Sequence, residues 1–102
     1  MAEIHLIARA VARKGKETEL RTLLQEMLAP THAEPGCRLY ELYQSNSPER
    51  FYFHERWESQ AALDRHMATP HFKRMEQSAK DLLAQPFEVN ILAAVSKFNA
   101  AA

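Results

Sequence analysis

Only one cysteine, Cys37, and two glycines, Gly15 and Gly36, occur among 102 residues. A lone cysteine closes no internal disulfide, which agrees with a reducing compartment. Two glycines are too few for the glycine fingerprint of a flavin or nicotinamide site. Neither sign of charge dominates, because 13 Lys and Arg balance 13 Asp and Glu, and a nucleic-acid reader would carry a basic excess. No apolar run approaches a membrane span, and the opening MAEIHL lacks the charged and apolar regions of a signal peptide. The expectation is a cytoplasmic protein with neither nucleic acid nor membrane as partner. No Gly/Ser/Pro-rich linker divides the chain, so residues 1–102 are expected to form a single domain. A chain of this length buries roughly two-thirds of its extended surface.

What the chain does have is concentrated between Phe51 and Phe72, which holds the only Trp and three of the five histidines. Its first seven residues read as a strand, with Phe51, Phe53, Glu55 and Trp57 on one face and Tyr52, His54 and Arg56 on the other. Both faces carry bulky side chains, so something must lie on each side.

Around this strand the other elements follow in order. Glu3 to Arg13 alternates as a strand, mixed on the face of His5, Ile7, Arg9 and Val11. Leu20, Leu23, Leu24, Met27 and Leu28 have the spacing of one amphipathic helix, with Pro30 near its last turn or just past it. Glu34-Pro35-Gly36 is a turn. Cys37 to Gln44 is a second strand, and the polar turn Ser45 to Glu49 returns the chain antiparallel from Arg50. Ser59 is placed to cap a short helix carrying Ala62, Leu63 and His66. A second helical piece starts near Pro70 and runs through Phe72, Met75, Ala79, Leu82 and Leu83 until Pro86 closes it. Phe87 to Lys97 is the last strand, and Asn99 to Ala102 a loose tail. This order predicts an α+β protein of the ferredoxin-like split β-α-β type. With both helical layers on one sheet face, the other face (Ile7, Val11, Leu92, Ala94 and some of Tyr40, Leu42 and Tyr52) is left for a second copy. A twofold homodimer packed sheet to sheet is therefore expected.

Glu34-Pro35-Gly36-Cys37, Tyr40, the strand with Phe51, Glu55 and Trp57, and His66 followed by His71-Phe72 together resemble the antibiotic biosynthesis monooxygenase domain, over nearly the whole chain. The resemblance implies a dimeric α/β barrel. It also implies one of several chemistries: cofactor-free oxidation of quinols, ring oxidation in polyketide pathways, haem degradation, or isomerisation of a phosphorylated autoinducer. In the polyketide and haem enzymes an Asn lies four residues before the Trp, where this chain has Phe53, and haem degradation ranks last for that reason. The tetrad Thr69-Pro70-His71-Phe72 looks closer to the quinol oxygenases and the isomerase.

Oxygenation without a cofactor needs an electron-rich substrate such as a hydroquinone, a base, a dry pocket and a donor for developing negative charge. The candidate bases are His71, the favoured one, and His66, which reads as the more structural. Glu55 is expected to orient one of them. Trp57, Phe53 and Phe72 would wall an aromatic ring, with the Trp57 indole N–H as a possible donor and Tyr43 also in the pocket. No metal is expected, because His66 and His71 are five apart across a proline and no Cys/His cluster adds ligands. The first reading is thus a cofactor-free monooxygenase acting on a small aromatic substrate with dioxygen. The rivals are an isomerase of a small phosphorylated metabolite, with Arg38, Arg56, Arg65, Lys73 and Arg74 as its anion site, and a ligand-binding dimer without turnover.

Overall fold

The computed structural model describes residues 3–95. Four strands, β1 (Ile4–Val11), β2 (Cys37–Gln44), β3 (Arg50–Trp57) and β4 (Glu88–Leu92), form one antiparallel sheet in the order β2-β3-β1-β4. Four helices connect them: α1 (Glu17–Gln25), α2 (Leu28–His32), α3 (Gln60–Met67) and α4 (Pro70–Ala79). The architecture is α+β and ferredoxin-like, as the element order predicts.

All helices pack on one sheet face, because only that face of the two central strands is apolar enough to bury. Leu6, Ala8 and Ala10 of β1 lie beside Glu55, Phe53 and Phe51 of β3. With Trp57, Leu20, Leu24, Met27, Met75 and Ala79 they make the core. At roughly 25 cal/mol per Å² of apolar surface, each fully buried large side chain here stabilises the fold by about 2 kcal/mol.

Several boundaries differ from the sequence expectation. The apolar stripe from Leu20 to Leu28 is split into two helices, and Pro30 is the third residue of α2. Proline is tolerated there, since the first turn leaves its N–H groups without intrahelical partners. Helix α4 stops at Ala79. Leu83 instead forms an isolated bridge with Ala12, and Leu82 accepts a backbone hydrogen bond from Arg13. Strand β4 spans five residues instead of the expected run from Phe87 to Lys97. Lys97 and the tail from Asn99 to Ala102 lie outside the described residues.

The face expected for Tyr40 and Leu42 is also corrected. A bulge between Cys37 and Leu39 lets both Cys37 and Tyr40 face the helices, so Tyr40 is buried and Leu42 packs on the core. An extra residue shifts the phase of a two-residue alternation, which counting along the strand does not reveal. Tyr52 does lie on the outer face, with Ile7, Arg9, His54 and Leu92.

Candidate active site

Three local features bring one set of side chains together. Ser59 caps α3 by accepting from the Ala62 N–H at 3.2 Å, and α4 begins with Pro70 at its first turn behind the Thr69 cap, whose Oγ1 accepts from the Phe72 N–H at 3.2 Å. The same hydroxyl donates to the His66 carbonyl oxygen at 2.7 Å, tying the end of α3 to the start of α4. His66 and His71 thereby share one side of the helix corner, with ring centroids 6.1 Å apart.

The third feature is the turn before β2. Gly36 has φ +85°, in the region that favours glycine, and a Cβ there would lie 2.7 Å from that of Ala62. Its carbonyl accepts from the Glu58 N–H at 2.8 Å. This close approach seats the turn against α3 and brings Glu34 to the two rings. Glu34 Oε2 accepts from His66 Nδ1 at 2.8 Å and from His71 Nε2 at 2.6 Å. A carboxylate only accepts, so both ring nitrogens carry the proton. His66 is thus held as the Nδ1–H tautomer, which leaves its Nε2 as the atom free to take a proton.

These three side chains place their donor atoms within 4.8 Å of one another. Two ring nitrogens meet one carboxylate oxygen at hydrogen-bond distance, so the arrangement is a hydrogen-bonded relay. Two imidazoles and a carboxylate are also a donor set of the kind that binds a divalent metal, so the expectation that no ligand cluster forms around His66 and His71 is corrected by Glu34, which spacing along the chain does not reveal.

His66 also closes an aromatic stack. Its ring lies 4.6 Å from Trp57, 5.1 Å from Phe72 and 5.6 Å from Tyr40, centroid to centroid. Burial lowers its pKa, opposed by the hydrogen bond and charge of Glu34. Beside it opens a cavity of about 590 Å³, lined by Leu6, Ala8, Tyr40, Phe53, Leu63 and Phe72 among others, with Glu55 and His66 as its buried ionisable groups. Glu55 is 5% exposed, and burial pushes its carboxyl up to about 7 against the lowering effect of the Trp57 hydrogen bond.

The sequence expectations map onto this geometry unevenly. Phe53, Phe72, Glu55 and His66 line the cavity, whereas His71 stands behind His66 on the far side of Glu34. Glu55 orients neither histidine. It accepts from the Trp57 indole N–H at 2.9 Å, so that donor is consumed within the core and Trp57, fully buried, lies outside the cavity wall. Tyr43 is 54% exposed on the outer face, its hydroxyl donating to Glu41 at 2.6 Å; Tyr40, on the inner face, takes the place expected for it. Glu34 was missed as a functional residue. Its position in a Glu-Pro-Gly turn was visible, but its partners lie 32 and 37 residues away, and only tertiary packing joins them.

The chain belongs to the antibiotic biosynthesis monooxygenase family, whose model matches residues 3–78. It is 37% identical over 97 residues to a Mycobacterium tuberculosis protein named "Putative monooxygenase Rv0793", a match covering 95% of this chain and 96% of that one. The solved structure of Rv0793 is similar with a TM-score of 0.88 at 36% identity, covering 96% of this chain and 100% of that one. The crystal structure of PA3566 from Pseudomonas aeruginosa is similar with a TM-score of 0.87 at 34% identity, over 94% and 97% of the two chains.

Proposed function

We propose that this protein is a monooxygenase that oxidises a small, electron-rich aromatic such as a quinol with dioxygen. The observation that carries this reading is the cavity: an apolar, aromatic-walled space of about 590 Å³ with a tautomer-fixed histidine and a near-neutral carboxyl on its wall. That size suits a one- or two-ring substrate. His66 Nε2 takes a hydroxyl proton, leaving a phenolate able to pass an electron to dioxygen. Glu34, held in turn by His71, keeps the ring in register and stabilises the imidazolium that forms. Glu55, neutral for part of the time near pH 7, supplies a proton to the reduced oxygen. For a hydroquinone the balance is one quinol plus one dioxygen giving one hydroxyquinone plus one water, with the substrate itself providing the electrons.

No Lys or Arg lines the cavity among the described residues, so a phosphorylated metabolite finds no cation there. Arg38 and Arg56 are instead engaged by Glu58 and Glu3. The aromatic reading is preferred over the isomerase for that reason. We also propose that the outer sheet face, where Tyr43 and Leu92 are exposed, packs against a second copy of the chain.

The test is dioxygen uptake by purified, metal-stripped protein with a panel of reduced quinols and anthrone-like phenols, against a no-enzyme autoxidation control. Uptake above control that vanishes in His66→Ala supports the reading. Uptake no faster than control across the panel, in protein that binds the same compounds by thermal shift, would favour the ligand-binding dimer.

A further inference from the structure

His66 is the one residue shared by the cavity wall and the relay. Glu34 and His71, joined through its Nδ1 side, line no part of the cavity. Both ring nitrogens direct their N–H bonds at a single atom, Glu34 Oε2, which lies 2.8 Å from His66 Nδ1 and 2.6 Å from His71 Nε2. Their lone pairs would therefore converge on one point. With the three donor atoms within 4.8 Å of one another, the nitrogens subtend at most about 125° at that oxygen, a range that includes the roughly 109° of a tetrahedral ion. An ion at that point, about 2.1 Å from each nitrogen, asks each ring to advance by roughly 0.5–0.7 Å and the carboxylate to draw back.

The surroundings permit this. Glu34 rides on the turn between α2 and β2, outside any helix or strand, so its side chain can retreat while remaining a ligand. No Lys or Arg pairs with it among the described residues; its ion-pair partners are the two imidazoles. The side chains of Glu34 and His71 are 11% and 17% exposed against 2% for His66, which gives an ion a way in from solvent without crossing the cavity.

We infer that Glu34, His66 and His71 bind a divalent cation of the zinc type, and that the bound ion switches off the cavity's base. Two imidazoles and a carboxylate, with a fourth position left to water, suit zinc. A neutral imidazole ligated through Nδ1 carries its proton on Nε2. His66 then presents the cavity with a donor where it had presented a lone pair. Each neutral ring moves its own proton from one nitrogen to the other, so the exchange releases none. The ion itself meets no substrate, because neither of its other two ligands borders the cavity, and it acts as an inhibitor instead of a cofactor. The inhibition rests on the oxygenase reading above; the binding does not.

The experiment is calorimetric titration of the metal-stripped full chain with ZnCl₂, beside long-range ¹H–¹⁵N spectra of the histidine rings. Wild type is compared with Glu34→Gln, His71→Gln and a control double variant of the outer-face pair, His5→Gln/His54→Gln, whose Nε2 atoms are 2.7 Å apart; circular dichroism shows that each is folded. The expected result is one ion per chain, with the His66 proton moving from Nδ1 to Nε2 as zinc saturates. Glu34→Gln and His71→Gln should each weaken binding at least about tenfold, and the outer-face variant should bind as wild type does. Absence of binding in wild type, binding undiminished in both relay variants, or a zinc-saturated His66 still protonated at Nδ1 overturns the site. These readouts need no substrate, so they fail only with the site, whereas absence of quinol oxidation by the zinc-free protein fails the oxygenase reading alone. Dioxygen uptake should fall in step with zinc saturation, and uptake that persists in the saturated protein overturns the inhibition.

Discussion

Glu55 and Glu34 each accept a proton donor from one member of the Trp57–His66 ring pair, yet they reach it by opposite routes. Glu55 takes the indole N–H of a residue two positions along the same strand face. One neutral donor does not offset its burial, and its carboxyl rises to about 7. Glu34 sits on a turn and collects two imidazole donors from separate helices. A carboxylate with one local partner becomes a group that exchanges its proton near neutrality, while one with two distant partners becomes a clamp that fixes other groups. The chemistry follows from the partners and their number.

His66 is the residue whose loss should cost most. His66→Ala is expected to lower kcat/KM for quinol-dependent dioxygen uptake by roughly 10²- to 10⁴-fold, the usual worth of a positioned base. Retained circular dichroism would show that the loss is not unfolding.

Glu34→Gln is expected to cost kcat about 10- to 100-fold with little change in KM, since the amide can still meet one ring but cannot stabilise an imidazolium. Glu34 raises the pKa of His66, so its loss also moves the acidic limb of the kcat/KM profile to lower pH. A merely structural Glu34 would leave that limb in place.

Glu55→Gln tests the other carboxylate through stability. The folded carboxyl titrates at about 7 against 4.5 for an ordinary Glu, so the native state holds this proton more tightly than the unfolded chain. The associated stability is fully present below pH 4.5 and is lost as pH rises through 7. Between those limits wild type should lose about 3 kcal/mol relative to Glu55→Gln in paired urea titrations. His66 has the opposite sign: its lowered folded pKa costs stability as pH falls below 6.5.

Gly36→Ala should destabilise the fold by about 1–3 kcal/mol, through both the positive φ and the collision with Ala62. It should also loosen Glu34, so activity falls in a protein that still melts cooperatively. Tyr43→Phe, on the outer face, should change neither turnover nor stability by more than about 0.5 kcal/mol.

Element order, the antiparallel hairpin, the Ser59 cap, the start of α4 at Pro70 and the inner face of β3 were legible in the sequence, because each rests on neighbours a few residues apart. The break before α2, the bulge in β2 and the early end of α4 were not, because tertiary packing sets them against local pattern. The site divides in the same way. Phe53, Phe72 and His66 could be singled out by residue type, and His71 by the family resemblance of the tetrad Thr69-Pro70-His71-Phe72. That Glu34 joins the histidines, and that Trp57 spends its N–H on Glu55, depends on how a turn, two helices and a strand meet. Tyr43 and Tyr40 differ by three positions in one strand, and only the face decides which of them borders the cavity.

The most direct test of the relay needs no substrate. Long-range ¹H–¹⁵N correlation spectra of the histidine rings at pH 7.5 should show His66 neutral, with its proton on Nδ1 and its Nε2 bare, and Glu34→Gln should disturb that pattern. A His66 protonated at Nε2, or one whose tautomer is indifferent to Glu34, would contradict the account of how this cavity obtains its base.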